Sequence, residues 1–255
     1  MNEPIEISDL ADYINQINTI TDLEKIYLYR GQEDEEWRVN SSAYRRLERG
    51  YDGPLDALPY LWQSYLKQII DEIKLKYPST YKELRPLECM AHLQHNKVAT
   101  GLIDFTFSPL VALWFACANE NRDGKVIVLE SDSEKIEEIQ TIEALERDLE
   151  TFFNVDQARW YRWSPTLDSR TVDTERITTQ QSVFLFGLPE MNGEMIAQEI
   201  IISAEYKKSL RTGLAQMGIL EKTLFSDLLG FFERNTSEHS YDLPLVEPYY
   251  GERLS

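Results

Sequence analysis

Apolar residues recur at helical spacing over residues 55–76, where Leu58, Leu61, Trp62, Tyr65, Leu66, Ile69, Ile70 and Ile73 share one face and Pro78 closes the run. The same period predicts a first helix over 5–20, with Ser8 as its cap and Leu10, Tyr13, Ile14 and Ile17 inward. Further helices are predicted over 83–94 and 109–119. An acidic helix is predicted over 133–153, with Ile136, Ile139, Ile142 and Leu145 as its inner face, and a closing pair over 204–217 and 220–233, split at Gly218. Short β-branched and aromatic runs predict strands at 26–29, 37–39, 126–129, 182–186 and 199–202. Turns fall at Gly50 to Pro54 and at Asp123-Gly124, while 154–176 reads as irregular and rich in Arg, Trp and Tyr. No linker separates these elements, so the pattern predicts one α+β domain. The tail beyond Asn235 is polar and reads as loosely held.

One stretch departs from simple amphipathicity. Asp104, Thr106 and Ser108 alternate with Phe105 and Phe107 immediately before an almost wholly apolar helix opened by Pro109. In an extended backbone the three polar side chains face one way and the two aromatics the other. Ser108 is placed to cap the helix. Asp104 has no capping role, and if buried it needs an arginine or backbone donors. We read it as an organiser of a polar row and expect its loss to cost stability. Thr106 and Ser108 are the better candidates for touching a ligand.

Charge narrows the class of partner. With 44 acidic and 26 basic residues among 255, the net charge is −18, which disfavours general binding to nucleic acid. No apolar run reaches membrane-spanning length and the N-terminus lacks a signal peptide's apolar core, so a cytoplasmic protein without membrane contact is expected. Two cysteines, Cys89 and Cys117, and three histidines form no metal motif at any usual spacing.

Six further residues carry candidate chemistry. Arg30 ends a strand in Tyr29-Arg30-Gly31-Gln32. An arginine fork beside glycine suits a phosphate or carboxylate, and an ion pair with a nearby acid is the alternative. Gln94 and His95 close the 83–94 helix, where the histidine can act as acid, base or ligand clamp, or be structural. Gln180 and Gln181 precede a strand and can hold a ribose or amide, or simply face solvent. Glu199 opens the next strand, as a carboxylate that orients a ribose or as a surface glutamate.

Taken in order, these residues resemble the FRG domain, named for a Phe/Tyr-Arg-Gly motif present here as Tyr29-Arg30-Gly31. The resemblance continues through Trp37, Ser41-Ser42, Gln94-His95, Thr100, Leu102 to Thr106 and Ser108 to Ala116. It then takes in Arg176, Gln180-Gln181 and Phe184, and Leu224 to Gly230. It departs at Asn96-Lys97, where the family has Tyr-Gly, at Gly101, where it has Arg, and at Ser226, where it has Pro. The resemblance implies a helical extension over 1–19, an FRG domain over 20–235 and a tail over 236–255.

A weaker resemblance links the order of Tyr29-Arg30-Gly31, Thr106-Phe107-Ser108 and a later acidic strand to ADP-ribosyltransferases of the Arg-Ser-Glu type. It implies a small mixed sheet flanked by helices and NAD as substrate. The enzyme would be an ADP-ribosyltransferase or an NAD glycohydrolase. Arg30 would meet the pyrophosphate, Thr106 or Ser108 the nicotinamide ribose, and Tyr29 or Phe105 would wall the nicotinamide. Gln181 or Glu199 would stand at the glutamate position. Tyr29, Gly31, Gln32, Gln94, His95 and Asp104 would complete the binding set. The FRG resemblance further implies a bacterial toxin or phage-defence effector; the alternative is a non-catalytic sensing or protein-interaction module.

Overall fold

The computed structural model describes residues 3–131, 135–165 and 174–236. The chain opens with strand β1 (Ile5–Ile7), helix α1 (Leu10–Ile20), β2 (Tyr27–Gln32), α2 (Ser42–Glu48), α3 (Leu58–Lys76), α4 (Pro78–Tyr81) and α5 (Pro86–His95). It continues through β3 (Ile103–Thr106), α6 (Pro109–Ala116), β4 (Gly124–Glu130), β5 (Ile136–Glu138), α7 (Ile142–Leu145), α8 (Leu149–Phe152) and β6 (Trp160–Trp163). The last elements are α9 (Thr174–Gln180), β7 (Ser182–Phe186), β8 (Ile196–Ile202), α10 (Ala204–Gln216), α11 (Glu221–Leu224) and α12 (Leu228–Arg234). Among the described residues, no helix is long and apolar enough to cross a membrane.

The eight strands form one mixed sheet in the order β1-β8-β4-β2-β3-β7-β6-β5, giving the expected α+β class. Among the described residues, the two edge pairs, β1 with β8 and β5 with β6, run parallel and the rest are antiparallel. β4 sits near the centre because its run Lys125 to Leu129 is buried on both faces. Along β2, β4 and β8, Tyr29, Val126, Val128, Ile200 and Ile202 face α1, α6 and α10. Leu28, Ile127, Leu129, Ile103, Phe105, Val183 and Leu185 pack on the opposite face. On the first face, farther along the sheet, Phe184, Phe186, Tyr161 and Trp163 meet α3 and α5. Two helical groups therefore share one face of the sheet, and a seam runs between α5 and α6 over β2, β3 and β7.

Several predicted elements change type. Residues 5–7 pair as a strand with β8, and α1 is capped by Asp9, whose side chain accepts from the Asp12 amide, rather than by Ser8. The 37–39 run makes no strand: the Val39 carbonyl accepts from the Met191 amide at 2.8 Å, and the adjoining Asn40 forms an isolated bridge with Glu190. The acidic helix over 133–153 is, where described, a strand and two four-residue helices. Ile136, Glu137 and Glu138 pair with Trp160, Tyr161 and Arg162, so part of the region read as irregular is sheet. Arg162 makes that pairing tolerable: its guanidinium donates to Glu138 at 2.5 Å and to Ser131 at 2.6 Å. The final helix divides into α11 and α12, and the tail beyond 236 lies outside the described residues.

Candidate functional site

The seam is a cleft of about 310 Å³, and a second cavity of about 240 Å³ adjoins it. Both are bounded by Arg30, Gln94, Lys97 and Asp104. The cleft is floored by Tyr29, Thr106 and Phe184, walled by Phe115 of α6 and His95 of α5, and closed by Arg176 and Gln180 of α9.

Arg30 reaches this place because the sheet opens there. β2 and β3 share a single paired position, Tyr29 with Thr106. Beyond it the Asp104 carbonyl has no strand partner from β2, and Arg30 Nη1 donates to it at 2.6 Å. Arg30 Nε is buried without a hydrogen-bond partner. Burial pulls the guanidinium from its ordinary 12.5 down to about 10; Asp104 opposes the shift and nearby Arg45 adds to it. It remains a cation at neutral pH, held with unspent donor capacity where the two cavities meet. Arg45 lines the second cavity, where it donates to the Asn40 carbonyl at 2.5 Å, and burial likewise lowers its pKa.

A relay of hydrogen bonds fixes the opposite wall. The Thr100 hydroxyl donates to Gln94 Oε1, which leaves Gln94 Nε2 to donate to Asp104 Oδ1 at 2.6 Å. Thr100 is in turn tied to α2 through Ser42 Oγ, which accepts from its amide at 2.9 Å. Asp104 is exposed in the cleft, not buried as an organiser of the core, so a glutamine suffices as its partner, and among the described residues no arginine forms an ion pair with its carboxylate. His95 turns Nε2 toward Asp227 Oδ2 at 3.4 Å. Lys97, in the left-handed region at φ 62°, extends to Glu233 of α12 at 2.9 Å. Arg176 lies 4.4 Å over the Phe225 ring.

The remaining predicted residues take different places. Thr106 lines the cleft, but its hydroxyl donates to the Gln180 carbonyl at 2.6 Å and accepts from the Ser108 amide at 3.0 Å. Ser108 stands outside the lining and caps α6, accepting from the Val111 amide at 3.3 Å. Gly31 borders the cleft, yet what occupies the space of its missing side chain is α6: an added Cβ would lie 1.9 Å from the Ala112 carbonyl oxygen. Gln32 is buried away from the lining, donating to the Arg38 carbonyl at 3.2 Å.

Of the glutamine pair, Gln180 faces the cleft and Gln181 does not. Gln181 is exposed at the α9–β7 turn with φ 49°. Glu199 falls in one cross-strand row with Ile127 and Arg30, but fully buried Ile127 stands between them. Two strand spacings, about 10 Å, separate the Glu199 and Arg30 backbones, and the Glu199 carboxylate is held by Lys125 Nζ at 3.1 Å. Neither proposed glutamate position therefore opens on the cleft. Lys97, Phe115 and Asp227 were not singled out as site residues from the sequence. Lys97 carries no periodic signal, Phe115 reads as helix core, and Asp227 meets His95 only through the fold.

Residues 25–125 match the family model of the FRG domain. The matched stretch holds Arg30, Gln94, His95, Asp104 and Thr106, while Arg176, Gln180, Phe184 and Asp227 lie beyond it. No curated protein and no solved structure matches the chain.

Proposed function

We propose that this chain, which carries an FRG domain, holds an anionic dinucleotide of the NAD type across the two adjoining cavities. The observation that carries this reading is Arg30: a half-buried arginine whose Nε is buried without a partner at the wall both cavities share. Although the chain bears a net charge of −18, Arg30, Lys97 and Arg176 line the cleft, and Arg45 lines the adjoining cavity. Against them stand Asp104 and Glu233. Local positive charge of this kind draws an anion into an otherwise acidic molecule. Arg30 and Arg45 would receive the pyrophosphate, and Tyr29, Phe115 and Phe184 would cover a base on the other side. The combined space falls in the range of small-molecule sites.

Where the two candidates for the glutamate position sit favours binding or sensing over ADP-ribosyl transfer through them. Glu199 is engaged by Lys125 two strands away, and Gln181 is on the surface. A chain that binds or consumes NAD fits a bacterial toxin or phage-defence effector. Expression in a bacterial host, with and without phage challenge, tests that role: growth arrest or protection that disappears in Arg30→Ala supports it, and an effect indifferent to Arg30 refutes it. Calorimetric titration of NAD into the full chain tests the binding itself. Saturable 1:1 heat that Arg30→Ala abolishes supports the reading, and no heat in the wild type refutes it.

A further inference from the structure

Arg30 and Asp104 meet without pairing their charges. The guanidinium donates to the Asp104 backbone carbonyl at 2.6 Å, so the carboxylate of the same residue lies close by, and its charge acts on both Arg30 and Arg45. Yet among the described residues neither arginine forms an ion pair with it. An exposed carboxylate beside two half-buried guanidinium groups would ordinarily turn onto one of them, because a bidentate, charge-assisted pair is the strongest bond open to both. What prevents this is the relay anchored on α2. Thr100 is fully buried, its amide donating to Ser42 Oγ at 2.9 Å and its carbonyl accepting from the Ala43 amide at 2.9 Å. Its hydroxyl accepts from the Leu102 amide at 3.3 Å and gives its own proton to Gln94 Oε1. That fixes the Gln94 amide with its nitrogen toward Asp104, where it donates to Oδ1 at 2.6 Å. Arg30 Nε is left without a partner, and so, among the described residues, is Asp104 Oδ2, at the wall both cavities share. Such a wall offers a cation to an oxyanion and, beside it, a carboxylate oxygen to a hydrogen-bond donor. The donor it suits is neutral, since Arg30, Arg45 and Lys97 border the same cavity and repel a further cation. Hydroxyls are the neutral donors that stand next to phosphate in a nucleotide, and a carboxylate has acceptor sites for two of them.

We infer that Asp104 is the specificity-determining residue of this cleft, taking the vicinal hydroxyls of a ribose whose phosphate rests on Arg30, and that Gln94, oriented by Thr100, is a positioning residue that keeps the two charges from pairing. The inference deepens the dinucleotide reading above and rests on it. A ribose that lacks one hydroxyl leaves the carboxylate without its donor, and a ribose phosphorylated there brings a like charge against it, so both are disfavoured. Gln94 acts through Asp104. Without it the carboxylate turns to Arg30, and the anion site is closed by the chain's own acid. Gln94 also lines both cavities, so positioning is told from direct contact by whether its loss matters once Asp104 is gone.

The test uses the full chain, with NAD as the calorimetric probe and ribose 5-phosphate and 2-deoxyribose 5-phosphate as competitors. The proteins are the wild type, Asp104→Ala, Gln94→Ala and the double variant, with melting temperatures for all four. Ribose 5-phosphate is expected to displace NAD from the wild type at least about tenfold better than its deoxy analogue, and Asp104→Ala to bring the two within about threefold. Gln94→Ala is expected to weaken NAD binding at least about tenfold where Asp104 is present and less than about threefold where it is already alanine. A glutamine that only touched the ligand would cost the same in both backgrounds, and one that only supported the fold would lower Tm in both. The sugar-phosphate comparison needs only the wild type and Asp104→Ala, whose exposed position tolerates truncation, so it stands even where Gln94→Ala does not fold. A wild type that binds NAD but yields it equally to the two sugar phosphates, or to neither, overturns the inference and leaves the binding reading standing. So does an equal cost of Gln94→Ala in folded proteins with and without Asp104. Wild-type protein that does not bind NAD overturns both.

Discussion

Replacing Gly31 with alanine tests why a glycine follows the arginine at the end of β2. The new Cβ would lie 1.9 Å from the Ala112 carbonyl oxygen, 2.7 Å from the Ala116 amide nitrogen and 2.9 Å from the Ala112 carbonyl carbon. All three are backbone atoms of α6, so no side-chain rotation relieves them. An ordinary close approach of carbon to a carbonyl oxygen is about 3.3 Å, so the helix must retreat by roughly 1.4 Å. It has little room to do so: Val111, Ala112, Leu113 and Ala116 are buried, and the Tyr13 hydroxyl donates to the Pro109 carbonyl at 2.7 Å. Overpacking of a core costs about 1–3 kcal/mol when side chains can adjust. With backbone on both sides, Gly31→Ala falls at or above the upper end, about 3 kcal/mol. For a chain of this size each kcal/mol lowers Tm by about 2–4 °C, so the variant is expected to melt roughly 6–12 °C below the wild type. Thermal unfolding followed by circular dichroism measures this directly. A Gly31→Ala protein that melts within about 2 °C of the wild type would refute the packing account and return the glycine to a role in ligand approach.

Other outcomes follow from the same structure. Lys207 is fully buried, its Nζ donating to the carbonyls of Glu33 at 3.0 Å and Asn119 at 2.8 Å. Lys207→Met leaves both without that donor and should cost about 2 kcal/mol or more in urea unfolding; an unchanged midpoint would show that water replaces the amine. Asp104→Ala, by contrast, removes an exposed carboxylate and should move Tm by no more than about 2 °C; a fall of 6 °C or more would make Asp104 a buried organiser after all. Stability should also decline in alkali. Burial raises the Tyr13 phenol well above its ordinary 10.0, and burial followed by Tyr27 pushes Tyr29 up to about 12. Both stay protonated in the fold while the unfolded chain releases its protons. Their contribution is therefore intact below pH 10 and is lost as pH rises toward the folded values, at up to about 1.4 kcal/mol per pH unit for each. Tyr13→Phe should flatten that decline between pH 10 and 12; an identical slope in the variant would refute the assignment.

The elements with strong periodicity and one buried face were legible in the sequence. α3 and β7 lie where the pattern places them, and β2, β4 and β8 overlap their predicted runs. What the sequence concealed depended on pairing over distance. Ile136 fits a helical face, but it serves a strand beside Trp160 to Trp163, whose own aromatic run lacks the polar alternation of an exposed strand. β1 is only three residues long and forms because β8 offers a parallel edge. In the cleft, Arg30, Gln94, His95 and Asp104 could be named from residue type and position. Their partners could not. Asp104 meets Gln94 because Thr100 orients the amide, and His95 meets Asp227 across 132 residues of chain. Spacing also could not tell Gln180 from Gln181: the left-handed backbone at Gln181 sends one to the cleft and the other to solvent.

The role proposed for Arg30 is to anchor a dinucleotide where the two cavities join. Calorimetric titration of NAD into the wild type and Arg30→Ala, at low and at physiological salt, tests it most directly. Loss of charge-assisted hydrogen bonds worth about 1.5–3 kcal/mol should weaken affinity by at least about tenfold while Tm stays close to the wild type. Saturable binding in the wild type that fails in a stably folded Arg30→Ala is the predicted result. No binding in the wild type, or equal affinity in the variant, would contradict it.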